Sequence, residues 1–185
     1  MYGILGEDDS DVATLKVLVR RLAKDESLRI KGKGYSGAGE LLRKGAKQLN
    51  LLKVLHSCKR FIVCHDADGP DPEPKHALVN ERIVKCSEVS DACCILIPVQ
   101  ELEAWILADI ESAVNVFPSW RPAAIQNPEK IASPKEHLEK LSRDDKQRPR
   151  YSHAVHNEKM ARHLDLEKVR RKCPAFSVLV EFVCG

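Results

Sequence analysis

Apolar positions along the first 117 residues follow two alternating rhythms. Short unbroken apolar runs bounded by turn residues read as buried strands, and apolar residues three or four apart read as one face of a helix. Residues 2–6 predict a short buried strand. Ser10 then offers a helix N-cap. Val12, Leu15, Val17, Leu18, Val19 and Leu22 mark the helix behind it, which ends near Lys24. Leu28–Lys33 predicts a second strand, with Leu28, Ile30 and Gly32 in alternation. Gly37 and Gly39 open a helix whose apolar face carries Leu41, Leu42, Leu49, Leu52 and Leu55. Phe61–Cys64 predicts a third strand. Pro70, Pro72 and Pro74 stiffen the loop after it, and a helix follows over Lys75–Cys86. Ala92–Val99 predicts a fourth strand, and Glu101–Asp109 begins a helix containing Trp105, Ile106 and Leu107.

Strands alternating with helices in this order predict an α/β fold, a mostly parallel four-stranded sheet flanked by helices. Beyond Val116 the rhythm changes. Pro118, Pro122, Pro128 and Pro134 punctuate short helical pieces, and Asp144–Arg150 reads as a polar, basic loop. Asn157–Arg171 predicts a helix with Leu164, Leu166 and Val169 as its apolar points. Pro174 starts a final helix, Ala175–Val183, expected to pack on the sheet. The division expected is a core over residues 1–117 and a basic helical C-terminal extension over 118–185.

Composition narrows the class. The chain is 43% apolar and 31% charged, which suits a globular protein with a real core. It has no run of 18 apolar residues, so no membrane span is expected. Its N-terminus enters an acidic loop at once, unlike a signal peptide. A cytoplasmic location is therefore expected. None of the seven cysteines forms a spaced CxxC pair, which argues against a zinc site. Cys64, Cys93 and Cys94 sit inside apolar strands and read as small buried hydrophobes.

Charge is unevenly spread. Residues 1–117 hold 16 Lys and Arg against 18 Asp and Glu, whereas residues 118–172 hold 14 against 8. The acids gather at predicted strand ends: Gly6-Glu7-Asp8-Asp9-Ser10-Asp11 after the first, Asp66-Ala67-Asp68-Gly69 after the third, Glu101 and Glu103 after the fourth. Ligands of open α/β sheets bind beyond the carboxyl ends of the strands. Carboxylates crowded there repel one another unless cations neutralise them, which points to hard, oxygen-loving ions such as Mg²⁺. Asp66 and Asp68 can share a face if the backbone between them is extended. Glu101 and Glu103 on a helix point about 200° apart, so one of them faces the site. First-turn acids complementing a helix dipole would account for some of the first cluster, and helix capping for Glu101 and Glu103.

These motifs, in this order, resemble the Toprim fold of topoisomerases, bacterial primases and the nucleases of the overcoming-lysogenisation-defect group. Gly6-Glu7 and Asp11 match the glutamate loop after that family's first strand, and His65-Asp66-Ala67-Asp68-Gly69 matches its DxD after the third. Gln100–Asp109 and Val169–Phe176, the latter ending Cys-Pro-x-Phe, are similar to segments of small bacterial Toprim-like proteins linked to phage defence. Asp8 departs from the glycine usual after the family's glutamate, which leaves open which acid touches metal. The resemblance implies Mg²⁺ or Mn²⁺ held by Glu7, Asp66 and Asp68, with Asp11 and Glu101 as further ligands. It gives Glu7 the general acid/base role, shared with Glu103 as ligand or water-orienting residue.

Lys146, Arg148, Arg150, Tyr151 and His153, with Lys159 and Arg162 behind them, would serve phosphate contact. Tyr151 would stack on a splayed base. Lys31, Lys33 and Gly32–Gly39 form a second phosphate-facing candidate. The expected substrate is nucleic acid, DNA ahead of RNA. With no Walker A lysine motif, ATP hydrolysis would fall to a partner ATPase. An oligomer is compatible with all of this. The leading expectation is a metal-dependent nuclease. The alternatives are a Toprim-like binding module that does not cut, or a receiver-like Mg²⁺ signalling domain with Asp66 as phospho-acceptor. The receiver reading lacks the Ser or Thr ending strand four and the Lys ending strand five. A haloacid-dehalogenase phosphatase reading of Asp66-Ala67-Asp68-Gly69 places the motif after the wrong strand, with Pro70 where Thr or Ser is usual.

Overall fold

A computed structural model describes residues 1–185. Four strands, β1 (Tyr2–Gly6), β2 (Ile30–Gly34), β3 (Arg60–Cys64) and β4 (Cys93–Leu96), pair in the order β2-β1-β3-β4, all parallel. Helices α1 (Asp9–Ala23), α2 (Ala38–His56), α3 (Glu73–Val79) and α4 (Glu103–Ala108) follow the strands in turn. This is the predicted α/β alternation, and it is consistent with a Toprim-like fold. The order puts β1 between β2 and β3, so the loops after β1 and β3 leave the sheet side by side.

Each face of the sheet buries its own core. Ile4, Ile62, Leu96, Leu15, Leu18 and Trp105 belong to one, Leu5, Phe61, Val63, Leu41, Leu49 and Ile83 to the other. Both faces being covered explains why β1 and β3 read as continuous apolar runs rather than alternating ones. Beyond α4 come α5 (Pro134–Leu141), α6 (His153–Ala161), α7 (Leu166–Lys172) and α8 (Pro174–Cys184). Phe176, Leu179 and Val183 of α8 enter the first core, and Phe176 meets Trp105 edge-on at 5.1 Å. A third cluster joins Ile106 and Leu107 to Leu138, Tyr151 and Met160, so packing runs across residue 117. No helix is long and apolar enough to cross a membrane.

Several element ends differ from expectation, each for a physical reason. Helix α1 is capped by Asp8, not Ser10. Asp8 Oδ1 accepts from the amides of Ser10 (2.7 Å) and Asp11 (3.0 Å), and Asp11 Oδ2 accepts from the Asp8 amide (3.2 Å). A carboxylate at that position also complements the helix dipole. Strand β4 stops at Leu96 because Pro98 has no amide hydrogen for a ladder. The chain still runs beside the loop after β3: Ala67 donates to Pro98 O (3.0 Å) and Asp68 to Gln100 O (2.9 Å). The helix after β3 starts earlier than predicted, at Glu73, and continues as a π-helical turn over Asn80–Val84.

The single helix expected over Asn157–Arg171 is two, α6 and α7. Arg21 donates to the carbonyls of Ala161 and Leu164, both at 2.7 Å, and ends α6. Asp165 caps α7 through the amides of Glu167 (3.0 Å) and Lys168 (3.1 Å). Two glycines shape the approach to the strand ends. A Cβ on Gly34 would stand 2.3 Å from the backbone of Asp8 and Asp9, so β2 meets the start of α1 closely. Gly37 has φ of 99°, which glycine alone adopts cheaply, and its amide donates to Glu7 O (2.9 Å).

Candidate active site

Because β1 and β3 are neighbours, Glu7 and Asp66 meet at the carboxyl edge of the sheet. Glu7 Oε1 accepts the Asp66 amide at 2.9 Å and lies 3.0 Å from His65 Nδ1. The same nitrogen is 2.7 Å from the Asp66 carbonyl, so two acceptors share its hydrogen. Asp66 Oδ1 accepts the Leu102 amide at 3.1 Å, tying the loop after β3 to the start of α4. Asp11 arrives from the first turn of α1. Glu103, the first residue of α4, accepts from Asn157 Nδ2 of α6 at 3.0 Å.

Glu7, Asp8, Asp11, Asp66 and Glu103 line one recess of about 300 Å³, closed by Tyr35, Ser36, Gly37 and Lys135. Its electrostatics are unfavourable as they stand. Burial pushes Asp11 up to about 8, reinforced by Asp8, Glu103 and Glu7. Burial also holds Asp66 well above the usual carboxylate range, with Asp11, Glu103, Glu7 and Glu101 adding to it. Glu103 is raised by burial, against the opposing Asn157 hydrogen bond. Lys135 is the one Lys or Arg on the wall. Burial works against its charge, but Glu103, Glu101, Asp8 and Asp66 hold the ammonium form above its ordinary pKa.

The donor set suits a hard cation. It is all oxygen and strongly anionic, and its two most perturbed members, Asp11 and Asp66, feel chiefly other acids. No three His, Cys, Asp or Glu side chains converge tightly enough to form a ready-made ion cage. Mg²⁺ takes one or two protein carboxylates and keeps several waters. At about 30 Å³ per water, a recess of this size has room for a partly hydrated ion.

Four of the sequence candidates, Glu7, Asp11, Asp66 and Glu103, therefore come together, and two do not. Asp68 is exposed and pairs with Lys75 Nζ at 2.7 Å. Its φ of 51° is left-handed, not extended, so the expectation that Asp66 and Asp68 share a face fails. Glu101 does not line the recess, though its charge still acts on Asp66 and Glu103. Its Oε2 accepts the Lys135 amide at 2.9 Å, and it serves the N-terminus of α5.

The basic candidates divide as well. Tyr151 is buried, and its hydroxyl donates to Asn157 Oδ1, so it is not a stacking platform. Arg150 donates to Ser119 Oγ at 2.7 Å, and Arg162 pairs with Glu158. His153 Nε2 stands 3.8 Å from Asp8 Oδ2 at the rim of the recess. Lys146, Arg148 and Lys159 are exposed. Of the second patch, Lys31 and Lys33 are exposed on edge strand β2.

Sequence reasoning missed His65, Lys135 and Asn157 as site residues. His65 and Lys135 carried no signal beyond their neighbours. Asn157 did carry one. With Met160, Ala161 and Leu164 it makes an i, i+3, i+4, i+7 stripe, and a polar residue inside an apolar stripe implies a buried partner.

A protein-family model described as a domain of unknown function, DUF4276, matches residues 7–183. No curated protein and no solved structure matches the chain.

Proposed function

The chain belongs to the DUF4276 family, and for it we propose a Mg²⁺- or Mn²⁺-dependent phosphodiesterase acting on nucleic acid. The observation that carries this reading is the meeting of Glu7, Asp11, Asp66 and Glu103, distant in sequence, in a recess with a single lysine on its wall. One or two of those four carboxylates would hold the ion directly, and the others would act through its waters. When bound, it would polarise a phosphodiester and lower the pKa of an attacking water.

The chain's own groups have separable tasks. Glu7 is fixed through Oε1 by the Asp66 amide and His65, which leaves Oε2 to take a proton from water. Lys135, on the wall of the recess, would offer an ammonium to the phosphate oxygens. The exposed Lys146, Arg148 and Lys159 would neutralise phosphates further along a strand. By the Toprim-like resemblance alone, the reading extends to a cytoplasmic protein in phage defence, where ATP hydrolysis would fall to a separate ATPase because the sequence has no Walker A motif.

The test is cleavage of supercoiled plasmid, linear DNA and RNA by purified protein with Mg²⁺ or Mn²⁺. Ion-dependent cleavage that disappears in Asp66→Asn and Glu7→Gln supports the proposal. Binding of nucleic acid without cleavage in any of these conditions supports the module reading instead.

A further inference from the structure

We propose that Asn157 is a positioning residue for Glu103, and that Tyr151 locks Asn157 in the one orientation that serves this task. The inference rests on the ion-binding reading of the recess and assigns part of that site to α6.

The geometry is a short relay of donors. Tyr151 O–H donates to Asn157 Oδ1, and Asn157 Nδ2 donates to Glu103 Oε1 at 3.0 Å. Exposure is 2% for Tyr151, 0% for Asn157 and 4% for Glu103, so water does not substitute for any member. With its oxygen occupied by the hydroxyl, the amide can only turn its NH₂ toward Glu103. A flip would set the amide oxygen against the carboxylate and leave the hydroxyl without its acceptor. Tyr151 is itself pinned: its amide donates to Ser142 Oγ at 3.0 Å, and the Arg150 amide to Ser142 O at 3.2 Å. The relay thus begins on a segment anchored to the end of α5 and finishes inside the recess.

The choice of an amide is informative. A buried carboxylate needs a donor, and Lys or Arg would satisfy it while cancelling its charge, as Lys75 does for Asp68. Asn157 fixes one oxygen of Glu103 and leaves the negative charge available to a cation. Outer-shell partners of this kind orient the groups that touch the ion. Asn157 and His153 are four residues apart on α6, hence on one face, and His153 approaches Asp8 from that face.

A structural role alone, tying α6 to α4, would lower stability without touching ion affinity. The experiment is therefore Mn²⁺ binding by electron paramagnetic resonance, on the full chain, with thermal unfolding measured in parallel. The variants are Asn157→Leu, Tyr151→Phe, Glu103→Gln and the Asn157→Leu/Glu103→Gln pair, with Asp66→Asn as control. We expect Asn157→Leu to bind Mn²⁺ about 10-fold to 100-fold more weakly, the range for lost outer-shell partners. Tyr151→Phe, which keeps the ring packing and the Asn157–Glu103 contact, should lose about 3-fold to 10-fold, less than the range for a lost outer-shell partner. In the Glu103→Gln background, Asn157→Leu should have no further effect on affinity. Equal Mn²⁺ affinity in wild type, Asn157→Leu and Tyr151→Phe, with Asp66→Asn still defective, overturns the positioning role and leaves the site reading standing. If Asn157→Leu does not fold, Tyr151→Phe decides alone by the same criterion. A wild-type chain that binds no Mn²⁺ removes the site reading and the inference with it.

Discussion

At the strand ends, the strongest charges acting on Asp11 and Asp66 are other acids. In the C-terminal segment, several of the cations are engaged. Arg162 pairs with Glu158, and Lys168 with Asp109 and Glu111. Lys172 donates to the carbonyls of Ala108 and Ile125, and Arg150 to Ser119. Both regions are concentrations of charge in the sequence. The basic one is partly consumed in holding the helices together, and Lys146, Arg148 and Lys159 belong to its exposed remainder. The acidic one gathers five carboxylates against the single ammonium of Lys135, against the electrostatic interest of the fold. Charge that a structure leaves unpaired at a stability cost is the better guide to function. Asp66 and Asp68 show the same contrast within a single motif.

The largest effect expected is on activity. Glu7→Gln and Asp66→Asn should lower cleavage about 100-fold to 10,000-fold, the range for lost acid/base groups. Asp68→Ala should stay within about 3-fold of wild type, because an exposed ion pair contributes little. Initial rates on plasmid DNA at saturating Mn²⁺ check this, and an Asp68→Ala enzyme as inactive as Asp66→Asn would break the contrast.

Next in size is a cost in stability without a cost at the site. Lys172→Met removes the ammonium that satisfies two carbonyls, one of them at the end of α4. It should destabilise by about 1–3 kcal/mol in urea denaturation, the penalty for unsatisfied buried acceptors. Mn²⁺ affinity should be unchanged.

The crowded acids also predict an unusual pH profile. Asp11 is raised to about 8 in the fold by burial and by Asp8, Glu103 and Glu7. Between its unfolded value near 4 and that value, the folded state holds a proton the unfolded state has lost. Stability should therefore be fully present below about pH 4 and fall as pH rises toward about 8, by about 1 kcal/mol per pH unit for this group. Urea denaturation across pH 5, 7 and 8 measures the slope, and Asp11→Asn should make it shallower, with Asp66 and Glu103 keeping part of it. Ion binding displaces those protons, so Mn²⁺ should raise the Tm more at pH 8 than at pH 5.

The smallest effects are expected on the exposed basic face. Lys146→Ala and Arg148→Ala should each change stability by less than about 0.5 kcal/mol, as surface substitutions do. Each should reduce the slope of log affinity for DNA against log salt by about one.

The sheet was legible from the chain because each strand is a short apolar run closed by turn residues, and each helix carries its own stripe. Element ends were less so. Asp8 in place of Ser10 as the cap of α1 depends on which side chain reaches the amides, and the break between α6 and α7 depends on Arg21, 140 residues from Ala161. At the site, the glutamate loop and Asp66 were readable because parallel order brings the ends of β1 and β3 together. Asp68 was misplaced because the left-handed turn of its backbone is set by a hydrogen bond to Gln100, in another loop. Tyr151 looked like part of a basic loop, since nothing local announces that it joins the buried cluster of Ile106, Leu107, Leu138 and Met160. Lys135 reaches the recess only through the path of the chain from α4 to α5, which no local pattern encodes.

The most direct test is anomalous diffraction from crystals of the protein grown with Mn²⁺. The account predicts a peak in the recess among the carboxylates of Glu7, Asp11, Asp66 and Glu103, lost in crystals of Asp66→Asn. No peak there at millimolar Mn²⁺, or a peak centred on Asp68 outside the recess, would contradict it.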